Sequence, residues 1–356
     1  SAGAYLLGRI AARLQKPLLV YGCLELLIAS YLMAVPYLFR GFQSGSLMLS
    51  EYGFGRPAWM AAVRFGLSFA FVFIPAFLMG GTLPILIRAF DDPEVLQLHL
   101  PLLYAINTLG GALGTLLGGY CVIPRLGLDG TLFACALMDA CVGFTALAVS
   151  GNVERPVSHV PEVRETAVQD SWSSPASRTG LDAAAVCTLA LIQGVLTFTL
   201  EVLWAHLIGT VIGVTVYAFC LMLTAILLGI GFGSLLIPLL RRWLRVGPLG
   251  LFIRAEVLLA LAVFASLFVW DRFPSLIRLT LMLKDHLSFL EREAVRFGFV
   301  LALLMPATLA MGIALPCLTA ALRKRGANAG GWVGSVYAAN TLGAIIGSLG
   351  TGLLLL

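Results

Sequence analysis

Charge is what this chain has least of. Only 12 % of its 356 residues are Asp, Glu, Lys or Arg, about half the usual share of a soluble domain. It contains no G-x-x-x-x-G-K-[ST] loop for nucleotide phosphates and no strand–G-x-G-x-x-G–helix unit. No G-x-S-x-G elbow or Ser-His-Asp arrangement is visible. The four histidines, His99, His159, His206 and His286, are too dispersed for a metal centre. The seven cysteines (Cys23, Cys121, Cys135, Cys141, Cys187, Cys220, Cys317) are scattered through apolar stretches without a C-x-x-C pair, which suits small core residues better than redox or metal chemistry. These absences leave no argument for catalysis within the chain, and no cofactor is called for. The net charge of +5 comes from arginines between apolar runs. It bears on orientation in a membrane, not on nucleic-acid binding.

What is abundant is apolar side chain: 60 % of residues are hydrophobic and the mean hydropathy is +0.96. A soluble fold of this length has no interior large enough for that, so the expected class is an all-α, polytopic transmembrane helical bundle in contact with the lipid bilayer. Helices are the default because lipid offers no partner for backbone polar groups, and the alternation of a membrane β-barrel is missing. Nine apolar segments are expected, at roughly 18–38, 58–88, 101–124, 130–149, 183–206, 211–240, 249–270, 294–320 and 332–356. Each is about the length needed to cross roughly 30 Å of hydrocarbon. The stretch 271–293, with Leu276, Leu279, Leu283, Leu287 and Leu290 at helical spacing, reads either as an interfacial amphipathic helix or as a short re-entrant hairpin.

One signature occurs twice. Met79-Gly80-Gly81-Thr82-Leu83-Pro84 and Tyr104-Ala105-Ile106-Asn107-Thr108-Leu109-Gly110 return as Met311-Gly312-Ile313-Ala314-Leu315-Pro316 and Tyr337-Ala338-Ala339-Asn340-Thr341-Leu342-Gly343. The near-constant offset marks an internal repeat. Matching the copies divides the chain into a first membrane repeat at 1–149, a linker at 150–180 and a second repeat at 181–356. Segments 183–206 and 211–240 have no counterpart near the start, and 130–149 has none near the end. Six helices per copy would complete the plan, with the N-terminal helices of the first repeat and the last helix of the second missing from this window. An even number per copy makes the repeats parallel, two pseudo-symmetric halves in a major-facilitator-like arrangement. Lys and Arg are denser in the loops holding Arg9, Arg13, Lys16, Arg241, Arg242 and Arg323 than in those holding Arg40, Arg56, Arg125 and Arg272, which places linker 150–180 in the cytoplasm.

Charged residues inside apolar segments are functional candidates because each is costly in lipid. Glu25 and Glu256 occupy equivalent positions in the two copies, so together they would suit a cation or carry protons; alternatively each caps a local polar network or pairs with a neighbour such as Arg254, two residues before Glu256. Tyr104 and Tyr337 would line the same groove. Asn107 and Asn340 precede the glycine ladders Gly110-Gly114-Gly118 and Gly343-Gly347, where small residues allow close helix approach, and fit either an interhelical hydrogen bond or substrate contact. Asp139, Glu201 and His206 are candidates for a proton relay, the alternative for Glu201-x-x-Trp204-x-His206 being an interfacial tryptophan anchor with satisfied polar neighbours.

G-x-x-x-x-G-R-x-x-x-R-x-x-K-P-L-L from Gly3 to Leu19, M-G-x-x-L-P, Y-A-x-N-T-L-G and E-V-L-W-A-H-L-I-G from Glu201 resemble the membrane region of the fused spermidine-synthase-like integral membrane proteins. The resemblance covers nearly all of the chain except 150–180. It implies a major-facilitator-like helical domain preceding a cytoplasmic aminopropyltransferase-like domain, whose acidic residues would lie past Leu356, so none is assigned here. In that family the tryptophan motif usually has Arg where His206 stands. The expected function is binding or translocation of a small cationic, polyamine-like solute between the halves, in the bacterial cytoplasmic (inner) membrane. The alternative is a non-transporting anchor or scaffold subunit, held to an aminopropyltransferase domain or to the protein subunits of a larger membrane complex.

Overall fold

The computed structural model describes residues 3, 6–7, 16–52, 57–89, 93–151, 182–282, 287–321 and 329–355, and among these there is no strand. Nine long helices and one short one follow in order: α1 (Pro17–Tyr52), α2 (Pro57–Ala89), α3 (Pro93–Leu117), α4 (Ile123–Ser150), α5 (Ala183–Ile212), α6 (Val216–Leu244), α7 (Pro248–Trp270), α8 (Phe273–Met282), α9 (Phe289–Ala320) and α10 (Ala329–Gly350). Each apolar run read from the sequence is a helix. The all-α class is therefore borne out. Among the described residues, seven spans are long and apolar enough to cross a membrane, and large apolar side chains such as Phe65, Phe69, Phe264 and Phe268 remain exposed. A continuous apolar exterior of that kind is untenable in water and natural in lipid. The protein is a multi-pass membrane protein.

One span, Leu102–Ser150, is 49 residues long, far more than a bilayer needs. Gly127 interrupts it with φ 69° and ψ −175°, a backbone region that glycine alone enters cheaply. Upstream, α3 passes through a π turn at Gly118–Val122. Residues 152–180 of the linker and the basic clusters around Arg9 and Arg323 lie outside the described residues.

Two compact units are present. The first contains α1, α2 and α4; the second contains α3 and α5–α10. The chain passes between them after residues 91, 121 and 161; the last point lies within the 150–180 division that the repeat suggests, and the first two carry α3 into the second unit. The reason is that α3 packs along α6, with Leu109 filling the space beside Gly231 and Leu227 lying over Gly111. In the first unit α2 lies against α1; in the second, the equivalent α9 lies against α7.

Glycine makes the closest crossings. In the first unit α1 meets α4 at Gly22 and Gly143, where a Cβ on either would come within about 3.0 Å of the other's carbonyl oxygen. In the second, a Cβ on Gly233 would overlap the Leu309 backbone, and one on Gly312 the Ile230 backbone. Beside them Ser234 Oγ lies 2.9 Å from the Gly312 carbonyl and 3.0 Å from that of Ile230. Along α10, Gly343 and Gly347 face the α5 backbone at Leu191 and Val195, and Gly194 faces the Asn340 carbonyl. The core between these helices includes Ile208, Met222, Phe273, Ile277 and Leu304. Short α8 lies on it through Phe273 and Ile277 with Arg278 outward, an amphipathic helix whose buried edge differs from the expected leucine stripe.

The two signature ladders have unlike surroundings. A Cβ at Gly110, Gly114 or Gly118 would have nothing within 4 Å, so among the described residues the α3 ladder makes no close crossing. Repeat-equivalent substitutions should then diverge. Gly343→Ala should cost about 1–3 kcal/mol through overpacking, while Gly110→Ala should change stability by no more than about 0.5 kcal/mol. Unfolding of the two variants in detergent, followed by tryptophan fluorescence, measures the contrast.

Candidate functional site

The Gly22–Gly143 crossing determines what stands next to it. Glu25 lies one turn beyond Gly22 on α1, and Asp139 one turn before Gly143 on α4. The Tyr21 hydroxyl is hydrogen-bonded to Glu25, and Asp139 is within electrostatic reach of both. All three are half-buried. Among the described residues no Lys or Arg pairs with either carboxylate. Tyr21 also forms one wall of a cleft of about 420 Å³ between α1 and α4, otherwise lined by apolar groups such as Leu18, Val142, Ala146 and Val149. Its neighbour Thr145 donates its hydroxyl to the Cys141 carbonyl, so that polar group is already satisfied. Two carboxylates within electrostatic reach of each other in lipid, with a phenol hydrogen-bonded to one of them, favour uptake of a proton or a cation that offsets like-charge repulsion.

The repeat sharpens the comparison. Glu256, the counterpart of Glu25, belongs to α7 of the second unit, and its Oε1 is buried without a hydrogen-bond partner. The residue equivalent to Tyr21 is Phe252, which is buried and has no hydroxyl to offer. Nor does Arg254, two residues away on a different face of the helix, pair with it. The two glutamates thus share a position but not a neighbourhood.

The other expected site residues fall as follows. Tyr104 and Tyr337 are within electrostatic reach of each other in the second unit. Thr108 hydrogen-bonds the Tyr104 side chain, and its hydroxyl lies 2.8 Å from the Tyr104 carbonyl. Asn107 is exposed and Asn340 half-buried; among the described residues neither side chain makes a hydrogen bond, and it is the Asn340 carbonyl that abuts Gly194. Glu201 is half-buried and His206 exposed. No hydrogen bond or ion pair joins them, because five residues on a helix put them on divergent faces. Trp204 is 4 % exposed within the core that includes Ile208 and Met222, so it is a packing residue and not an interfacial anchor.

Two features escaped the sequence reading. One is Tyr21, visible only as a residue one turn before Glu25. The other is a cluster of the half-buried Tyr120 and Arg296 around the buried Glu293. Its signal was Glu293 three residues before Arg296, a spacing that places both on one helix face. Among the described residues no group of His, Cys, Asp or Glu could hold a metal ion. Comparison with protein-family models, with curated proteins and with solved structures found no match. The chemistry of the carboxylate pair therefore carries the functional argument by itself.

Adjacent carboxylates should not behave independently. In a double-mutant cycle on thermal stability, Glu25→Gln and Asp139→Asn should be non-additive by at least about 0.5 kcal/mol. Strict additivity would mean that the two groups do not interact.

Proposed function

We propose that this multi-pass membrane protein binds and translocates a small cation of the polyamine-like class. The Glu25–Asp139 pair is the observation that carries the reading. Its two carboxylates would neutralise one or two ammonium groups, Tyr21 would add a cation–π contact, and the apolar cleft beside it would take the methylene chain between charges. Glu256 would provide a second, single-carboxylate station, and Tyr104 and Tyr337 further aromatic contact. The repeated Y-A-x-N-T-L-G signature supports membership of the membrane region of spermidine-synthase-like proteins, with two parallel halves. The bias of Lys and Arg supports placing 150–180 in the cytoplasm, and the family resemblance supports a bacterial inner-membrane location.

A second reading is favoured by one specific feature. The bare ladder Gly110-Gly114-Gly118 on α3 is the kind of face on which another transmembrane helix packs, and it would suit a membrane subunit that scaffolds an assembly or anchors an aminopropyltransferase domain.

Uptake into proteoliposomes distinguishes the two. With radiolabelled spermidine and an imposed membrane potential, the wild-type protein should give flux above empty vesicles. Glu25→Gln and Asp139→Asn should each lower it at least tenfold, the effect of about 1.4 kcal/mol of lost binding. No flux above background, or flux indifferent to both substitutions, favours the scaffold.

A further inference from the structure

The cluster around Glu293, at the other end of α3, has a construction that stability alone does not require. Tyr120 sits in the π turn Gly118–Val122. Its Oη donates to Glu293 Oε2 at 3.0 Å, with the Tyr217 carbonyl at 3.5 Å as a weaker alternative acceptor. Glu293 is 5 % exposed and forms an ion pair with Arg296 one turn along α9. The Tyr120 and Tyr217 rings lie 5.1 Å apart, and Phe289 packs edge-on against Tyr217 at 5.5 Å. Alongside, Gly119 presses so closely on Cys220 of α6 that a Cβ there would collide with its Sγ. Cys220 is 6 % exposed.

Three properties of this cluster suit a contact that opens. First, the ion pair lies wholly within α9, so withdrawing Tyr120 leaves Glu293 and Arg296 still paired. The large penalty of orphaning a buried charge is avoided, and only one hydroxyl hydrogen bond is given up. Second, Tyr120 stands on a π turn, a local irregularity of the helix that recurs at functional positions. Third, the partners sit near helix starts, just past the capping residues Thr215 of α6 and Ser288 of α9, so helix ends can part without disrupting the central Gly233–Gly312 crossing.

We propose that the Tyr120–Glu293 hydrogen bond is a releasable latch that closes the ends of α3, α6 and α9 on one another, with the Cys220 thiol sealed beneath Gly119 until it opens. This stands apart from the cation reading, because opening can be measured without any solute.

Cys220 is a built-in reporter. The full chain, with Cys23, Cys121, Cys135, Cys141, Cys187 and Cys317 replaced by Ala, would be purified in detergent and treated with a polar maleimide. When closure outpaces reaction, the labelling rate reports the population of the open form. Tyr120→Phe should accelerate labelling of Cys220 by about ten- to a hundredfold, as expected for loss of a hydrogen bond to a charged group. A matching protein that retains only Cys317, which is 2 % exposed in a separate core, should label no faster with the same substitution. An unchanged Cys220 rate would overturn the latch. So would equal acceleration of Cys220 and Cys317, which would mark the cluster as a general structural support.

Discussion

The structure depends on helix backbones meeting at residues too small to hold them apart. In lipid there is no hydrophobic drive bringing one helix to another, so association relies on close van der Waals fit and on hydrogen bonds across the interface. Gly22 with Gly143, Gly233 and Gly312 with the backbones of Leu309 and Ile230, and Gly194 with Asn340 supply that fit in their respective units. Ser234 adds a hydrogen bond across one of these crossings. The polar groups then take their places by distance along each helix from a crossing. Glu25 and Asp139 are neighbours because each lies one turn from the glycine that sets the α1–α4 contact.

That dependence explains how differently the chain treats its charged residues. Arg40 and Asp129 meet at 3.0 Å but are largely exposed, and such pairs contribute little. Glu293 is buried, yet Arg296 and Tyr120 both serve it. Glu25 has only a phenol and a second carboxylate. Glu256 has an oxygen with no partner among the described residues. In a membrane, residues left short of counter-charge are where a proton or a cation is most readily accommodated. The first unit, where two such carboxylates stand within electrostatic reach of Tyr21, which walls an apolar cleft, is the strongest such place among the described residues.

Much of the architecture was legible in the sequence because lipid imposes simple rules. Apolar runs of sufficient length had to be helices, and the segments that the repeat matches, α1 with α7 and α2 with α9, are helices of the two units. The site was less legible because it depends on which helices cross. Gly22 and Gly143 are single glycines in unrelated stretches, and nothing in their local sequence joins them. The ladders mislead in the opposite way. Gly110 and Gly343 are equivalent in sequence, but α5 lies across only the second. Trp204 and His206 sit two residues apart, so one faces the core and the other does not; their proximity in sequence suggested a shared role that helical geometry denies. The repeat likewise suggested pairing Glu25 with Glu256, whereas the carboxylate within electrostatic reach of Glu25 in its own unit, Asp139, is one that the repeat could not compare.

The central claim is that the α1–α4 crossing sets Glu25 beside Asp139. Thiol cross-linking in native membranes tests it most directly. In a background free of other cysteines, Glu25→Cys with Asp139→Cys should be joined rapidly by a short bifunctional thiol reagent, and mass spectrometry of the digested protein should recover the linked peptides. Glu25→Cys with Asp129→Cys, which places the second thiol far along α4, should not be joined. Failure of the first pair to cross-link, or equal linking of both, would contradict the account.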